Sequence, residues 1–162
     1  TADGYGTYTK SLKARIMSFA EVHGAYDLIL NNYGPDNMVG SVNIEVAEGM
    51  TAKQIHALTL KIQRDISETY GIYLAVGIYA YDNNPEHLEF QEEVRKTVMK
   101  HKGAMQLHGF IVDEKQKSVS FDVVTDFSVK NRKAFCRSLE EELESLHPEY
   151  KFYANPDLDY CD

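Results

Sequence analysis

The feature that most constrains the fold is an internal repeat. The segment "SVNIEV" (41–46) aligns with "SVSFDV" (118–123), so that their hydrophobic positions coincide. In the same register "TAKQIHALTLKIQRDISETYGIY" lies over "SVKNRKAFCRSLEEELESLHPEY", and "GAYDL" lies over "GAMQL" after a short gap in the turn. Identities are few, but the shared pattern covers nearly the whole chain. It therefore predicts two copies of one supersecondary unit.

The first copy begins with a helix and two strands. Leu12, Ile16 and Phe19 recur at helical spacing, which predicts a helix over "YTKSLKARIMSF". Strands are expected at about Ala25 to Asn31 and Val39 to Val46, because "YGPDN" between them is rich in turn residues. The side chains of the second strand alternate between apolar and polar, which predicts one buried face.

A second helix and a third strand complete the copy. Thr51 and Gln54 form a capping box, in which each residue satisfies a backbone donor at the helix start. Gly71 suits the left-handed cap at the helix end. The residues expected on the buried face are Ile55, Leu58, Ile62 and Ile66. The strand "IYLAVGIYAY" follows.

The joint between the copies is "DNNPEH", where Asn84 can cap a helix and Pro85 suits its first position. The second copy then repeats helix, strand, strand, helix and strand, ending near Asn155. We therefore predict the α+β class, with two tandem ferredoxin-like (metallochaperone-like) α-β-β-α-β units over residues 8–82 and 83–157.

Composition narrows the possible partners. The net charge of −8 and the lack of a basic stripe argue against nucleic acid, and against anionic lipid headgroups. The densest basic cluster, "KNRK", is followed by "EEELE" on the same predicted helix. An acidic surface favours cations, although most such surfaces are simply solvated.

Other features concern location and processing. The sequence contains no run of about 18 uncharged apolar residues, the length needed to span a bilayer, and no secretory leader is visible. The chain opens with "TADGYG" rather than an initiator Met, so we expect the natural protein to be longer. The two cysteines, Cys136 and Cys161, show no metal or disulfide spacing and are expected to be free thiols in a reducing compartment.

The first copy resembles a known family. "GAYDL…NYGP…GSVNIEV…TAKQIHALTLKIQRDI…YGIYLAVGIYA" is similar to the cytoplasmic C-terminal domain of cation diffusion facilitator transporters. That family's pattern is Gly, a variable residue and His-Asp-Leu, then a Gly-Pro turn, a strand His before an acidic residue, and Ile-His in the last strand. Residues 8–82 match in order and spacing, and the second half looks like the extension of a bacterial subset.

This resemblance implies a function for the whole protein. It would be a membrane antiporter that exports divalent cations such as Zn²⁺, Mn²⁺ or Fe²⁺ against protons, with its transport site in a transmembrane part. The present chain would be the attached cytoplasmic domain of that integral membrane protein. It would form a homodimer, and in many family members the dimer interface binds metal.

The family's imidazole positions are altered in this chain. Tyr26 stands where the family has its first cytoplasmic His, Asn43 at the strand His, and Tyr79 at the last-strand His. The alignment places Met105, Ser120 and Pro156 at the corresponding positions of the second copy. Phenol and amide are poor zinc ligands, so we expect these positions not to bind metal and Tyr26 and Tyr79 to serve in packing.

Other residues could ligate a cation. His23 is either a ligand or a solvated loop residue, and Asp27 stands beside Tyr26. Asp157 and Asp159 in the tail "PDLDYCD" could hold Mn²⁺, Mg²⁺ or Ca²⁺ through oxygen, or stay solvated. We expect His56 on the surface and His108 as a hydrogen-bonded, partly buried strand residue.

Catalysis is not indicated. GxSxG, Walker A, GxGxxG and HExxH are all missing from the chain, and Cys136, next to Phe135, is expected to be a packed thiol. The chain is therefore interpreted as a non-enzyme. Two alternatives to the transporter domain are a freestanding metal-binding (metallochaperone-like) module and a small-ligand sensor built from tandem repeats.

Overall fold

The computed structural model describes residues 2–158, and the side chains of residues 8–157. The chain divides into two compact units, the first ending at Tyr79 and the second beginning at Ala80. Each unit has the order helix, strand, strand, helix, strand. The α+β class and the predicted order of elements are thus confirmed.

The first unit has two helices and one three-stranded sheet. The elements are α1 (Ala2–Met17), β1 (Gly24–Asn32), β2 (Met38–Ala47), α2 (Ala52–Tyr70) and β3 (Ile72–Tyr81). The strand order is β1-β2-β3, and β1 runs antiparallel to β2. The apolar stripes of the helices and the inward faces of the strands form one core.

The caps of α2 explain its length. The Thr51 hydroxyl accepts from the Gln54 N–H, the Gln54 side chain accepts from the Thr51 N–H, and Gly71 ends the helix with φ 68°. Both predicted signals are therefore confirmed. Of the predicted stripe, Leu58, Ile62 and Ile66 are buried, while Ile55 in the first turn is half-buried.

The prediction for Phe19 was wrong in one respect. Helix α1 ends at Met17, and Phe19 lies in the turn that follows. The Phe19 N–H still donates to the Ile16 carbonyl at 3.3 Å, and Val22 donates to the Phe19 carbonyl at 3.0 Å. These hydrogen bonds in the turn hold the phenyl ring against the core. Phe19 therefore packs as its helical spacing predicts, although it lies outside the helix.

The second unit repeats the plan after a short 3₁₀ turn, Pro85–His87. Its elements are α3 (Leu88–Met99), β4 (Ala104–Asp113), β5 (Ser118–Thr125), α4 (Arg132–Leu146) and β6 (Lys151–Leu158). The strand order is β4-β5-β6, with β4 antiparallel and β6 parallel to β5. Asn84 caps the 3₁₀ turn rather than an α-helix, and the last strand extends beyond Asn155 to Leu158.

Helix α4 covers the outer edge of β6. The Phe152 N–H donates to Glu144 Oε1 at 3.2 Å, and the Ala154 N–H donates to Glu140 Oε2 at 3.0 Å. Edge-strand donors that are satisfied in this way cannot pair with another strand. Cys136, on the same helix, is buried as expected. None of the helices within residues 2–158 has the length and apolarity needed to cross a bilayer.

Candidate functional site

A β-bulge shapes the predicted ligand region of the first unit. Tyr26 pairs with Asn43 and Ile29 with Ser41, so Asp27 and Leu28 together oppose the single residue Val42. Asp27 has φ 58°, a left-handed conformation that Asp tolerates better than most residues. Because a bulge re-aims the side chains beside it, it decides where the Asp27 carboxylate lies.

The Asp27 carboxylate is held by two of the positions that the family resemblance singled out. Its Oδ2 accepts from Asn43 Nδ2 at 2.9 Å and from the Tyr79 hydroxyl at 3.2 Å. Tyr79 thus acts as a protonated phenol, and the Asn43 amide presents its nitrogen. Gly77 lies against the Asn43 side chain so closely that a Cβ there would collide with it.

Tyr26, the third predicted position, lies near the start of β1, and His23 immediately precedes that strand. Tyr26 is half-buried, at the last pair before the bulge. The side chain of His23 is 58% exposed, and its Nε2 lies 3.8 Å from Glu45 Oε1. Its backbone N–H donates to the Glu45 carbonyl at 2.7 Å. In the first unit, His23 is therefore placed as an exposed partner of Glu45.

The second unit contains the same bulge. His108 pairs with Asp122 and Ile111 with Ser120, so Gly109 and Phe110 oppose the single residue Phe121. Gly109 has φ 65°, close to the φ of Asp27. Aligned at the bulge, His108 therefore corresponds to Tyr26, and Asp122 corresponds to Asn43.

The third strand adds another correspondence. Asn155 pairs with Asp122, and Gly77 lies against Asn43, so Asn155 corresponds to Gly77. Two residues further along each strand, Asp157 therefore corresponds to Tyr79. The sequence alignment was wrong at these positions. It placed Met105, Ser120 and Pro156 there, which are three, two and one residues too early (105 against 108, 120 against 122, 156 against 157). The turns differ in length between the copies, and the bulge shifts the core-facing positions of β4 from Leu107 to Phe110 and Val112.

These three residues of the second unit converge. His108 Nε2 lies 3.2 Å from Asp157 Oδ2 and 3.9 Å from Asp122 Oδ2. The His108 side chain is 1% exposed, and the two carboxylates are 17% and 16% exposed. An imidazole nitrogen with two carboxylates is a donor set that suits Zn²⁺, Mn²⁺ or Fe²⁺.

Sequence reasoning found only part of this cluster. Asp157 was a predicted candidate, His108 was assigned a structural role, and Asp122 was missed; Asp159 lies outside the described residues. A usable signal was the glycine that follows His108, since Gly inside a strand often marks a bulge. His56 is exposed on α2, as predicted.

No protein-family description matches the chain, and no curated protein matches it significantly. Function is therefore argued from the geometry of the second unit and from the residue pattern of the first.

Proposed function

We propose that this chain is the cytoplasmic regulatory and dimerisation domain of a divalent-cation efflux transporter. In this proposal it consists of two tandem ferredoxin-like units, over residues 8–82 and 83–157. A transmembrane part carries proton-coupled export, and the domain has no catalytic activity of its own. The observed order of elements and the residue pattern from Gly24 to Ala80 both support this proposal.

The observation that carries the proposal is the cluster of His108, Asp122 and Asp157. Its imidazole and two carboxylates support the proposal because they lie at positions that the resemblance equates with the family's ligands, in the copy where sequence alignment gave no ligand. In the first unit those positions hold Tyr26, Asn43 and Tyr79, and the last two donate to the neighbouring Asp27 carboxylate. The second unit therefore senses Zn²⁺, Mn²⁺ or Fe²⁺, and the first is the scaffold.

Calorimetric titration of the 162-residue chain with Zn²⁺ and Mn²⁺ tests this assignment. We expect saturable micromolar binding by the wild type, and a loss of at least about tenfold in affinity in both His108→Asn and Asp157→Asn. His56→Asn is the matched control, because that imidazole is exposed on α2, and it should bind as the wild type does. Unchanged affinity in both cluster variants would remove the metal site from the proposal.

The dimerisation role needs its own measurement. Light scattering with and without the metal should give the mass of a homodimer, since the family resemblance implies that two copies associate. A chain that stays monomeric at every concentration and metal level would contradict this part, whatever the calorimetry shows.

A freestanding metal-binding module is the second candidate, and the same three-residue cluster favours it. The two candidates differ in what precedes Thr1 in the natural protein. Six apolar spans there would support the transporter domain, whereas a start codon would support the freestanding module. The small-ligand sensor remains a prediction, which a thermal-shift screen of metabolites would test.

A further inference from the structure

A tight turn in the second unit, Asp126 to Val129, lies between β5 and α4. The Asp126 N–H donates to the Gly103 carbonyl at 2.9 Å, and the Val129 N–H donates to the Asp126 carbonyl at 3.3 Å. Asp126 Oδ1 accepts from the Ser128 N–H at 2.8 Å and also from the Ser128 hydroxyl. These bonds fix the conformation of the turn.

The turn packs directly on the loop between α3 and β4. Gly103 has φ 97°, and a Cβ there would collide with the side chain of Val129 and press on Ser128. Lys102 is close enough to influence Asp126: the hydrogen bonds from Ser128, and then the Lys102 charge, hold the pKa of the Asp126 carboxyl below its usual value. The two loops therefore pack together, and with the first two residues of α4 they are called the tip, residues 100–103 and 126–133.

The tip presents an aromatic side chain to solvent. Phe127 is 85% exposed, the highest value among the large hydrophobic residues that the structure describes. The turn that carries it is fixed by its own hydrogen bonds, so the ring is held outward. A solvent-exposed apolar ring does not stabilise the fold through burial in the core. Removing its surface from water against a partner would be favourable.

The charge of the tip is opposite to that of the rest of the chain. Its two segments contain five cationic residues and one acidic residue, Asp126, whereas the remainder has 12 basic (17 − 5) and 24 acidic (25 − 1) residues. Lys130 follows Phe127 by three residues, so its Cα lies within about 11 Å. The cationic residues of the tip are Lys100, Lys102, Lys130, Arg132 and Lys133.

We infer that this tip docks on the anionic surface of a lipid bilayer, with Phe127 entering at headgroup depth and the surrounding cations over acidic headgroups. A flat bilayer surface contacts only exposed groups, which fits one exposed aromatic ring in a segment rich in exposed lysines. Glu142 of α4 borders the tip, with its Oε2 2.6 Å from His101 Nε2. A nucleic acid, which would extend along α4, would also meet the exposed Glu141, and both carboxylates would repel its phosphates. The inference rests on the tip alone and not on the proposed transporter role.

Flotation of the full chain with vesicles tests the inference. Vesicles of phosphatidylcholine with about 30% phosphatidylserine should bind the protein at low salt, and pure phosphatidylcholine vesicles should bind it much less. Each neutralised cation should weaken partition about fivefold, so Lys130→Gln with Lys133→Gln should weaken it about 25-fold. Phe127→Ala should weaken it about tenfold, because the ring no longer enters the apolar boundary.

Matched controls separate the tip from the general surface. Tyr33→Ala removes another exposed aromatic ring, in the first unit, and Lys53→Gln with Lys61→Gln removes two exposed cations of α2. Both controls should partition like the wild type. The altered side chains are solvent-exposed, and a circular dichroism spectrum checks that each variant is folded.

Three results would overturn the inference. One is no vesicle binding at about millimolar anionic lipid. Another is equal loss in the tip and control variants. The third is Phe127-dependent binding of a single-stranded oligonucleotide without vesicle binding, which would assign the tip to nucleic acid.

Discussion

His87 Nδ1 lies 2.6 Å from Oδ2 of Asp82, whose side chain is fully buried. On the other side of the ring, His87 Nε2 lies 3.1 Å from Glu114 Oε1. An imidazole that faces a carboxylate with each nitrogen can donate to both only as the imidazolium. Burial alone would lower the pKa of His87, but the hydrogen bonds and charges of Asp82 and Glu114 together outweigh it and raise that pKa.

This bridge predicts a pH dependence of stability. Because the folded-state pKa of His87 is raised above 6.5, its contribution is complete below pH 6.5 and is lost as the pH rises through the folded-state value. The free energy of unfolding of the wild type minus that of His87→Gln should fall over that window. Urea unfolding at a series of pH values measures the difference, with His56→Gln as control. A difference independent of pH would contradict the bridge.

Glu114 should titrate far below an ordinary glutamate. Hydrogen bonds from Lys117, then from the Tyr150 hydroxyl at 2.7 Å, lower the pKa of its carboxyl to about 2. Its stabilising effect is therefore present above pH 4.5 and is lost as the pH falls from there towards 2. The Glu114 side chain is 46% exposed, so solvent screening keeps the effect below about 1 kcal/mol.

The pKa of the Tyr150 phenol depends on the same hydrogen bond to Glu114 and can be measured at alkaline pH. Its hydrogen bond to Glu114, followed by burial, raises the pKa of Tyr150 to about 12. Replacing Glu114 by Gln should move that pKa back towards 10. Carboxyl and tyrosine ring NMR titrations measure both groups. An unshifted Tyr150 in the variant would refute the contact.

Cys136 should be inert towards thiol reagents. Burial, with smaller contributions from Glu140 and Asp122, raises the pKa of its thiol to about 11. At neutral pH only about one thiol in ten thousand would be ionised, and only the thiolate is nucleophilic. In a Cys161→Ser variant, which leaves Cys136 as the single cysteine, a chromogenic disulfide reagent should label the folded protein very slowly and the urea-unfolded protein at once. Rapid labelling of the folded variant would contradict this packing.

The sequence predicts the elements well because their signals are local. The capping box at Thr51, the glycine cap at Gly71 and the apolar stripe of α2 depend on a few neighbouring residues, and all recur in the structure. Phe19 packs against the core from the turn that follows helix α1. Apolar residues at helical spacing do not by themselves distinguish a residue in the helix from one in the turn that follows it.

The candidate site was less predictable because it depends on register. Whether His108 meets Asp122 or a neighbour is decided by one extra residue in β4, which shifts the core-facing positions from Leu107 to Phe110 and Val112. The contact between Asp157 and His108 depends on how β6 pairs with β5 after a long crossover. Residue types alone indicated candidate ligands without showing which of them meet.

The equivalent bulge residues Asp27 and Gly109 should respond differently to substitution. Gly109 has φ 65°, so Gly109→Ala should destabilise the protein by about 1 kcal/mol, because a Cβ strains the left-handed backbone. Asp27, at φ 58°, occupies the equivalent place with the same strain, which its bonds from Asn43 and Tyr79 offset.

Asp27→Gly should therefore be close to neutral, since relief of strain balances the lost hydrogen bonds. Asp27→Ala keeps the strain and loses the bonds, so it should cost about 1–2 kcal/mol. Urea unfolding measures all three variants, and Ser41→Ala, at an exposed strand position, is the control. Equal stability of Asp27→Gly and Asp27→Ala would show that the left-handed backbone at Asp27 does not limit the choice of residue there.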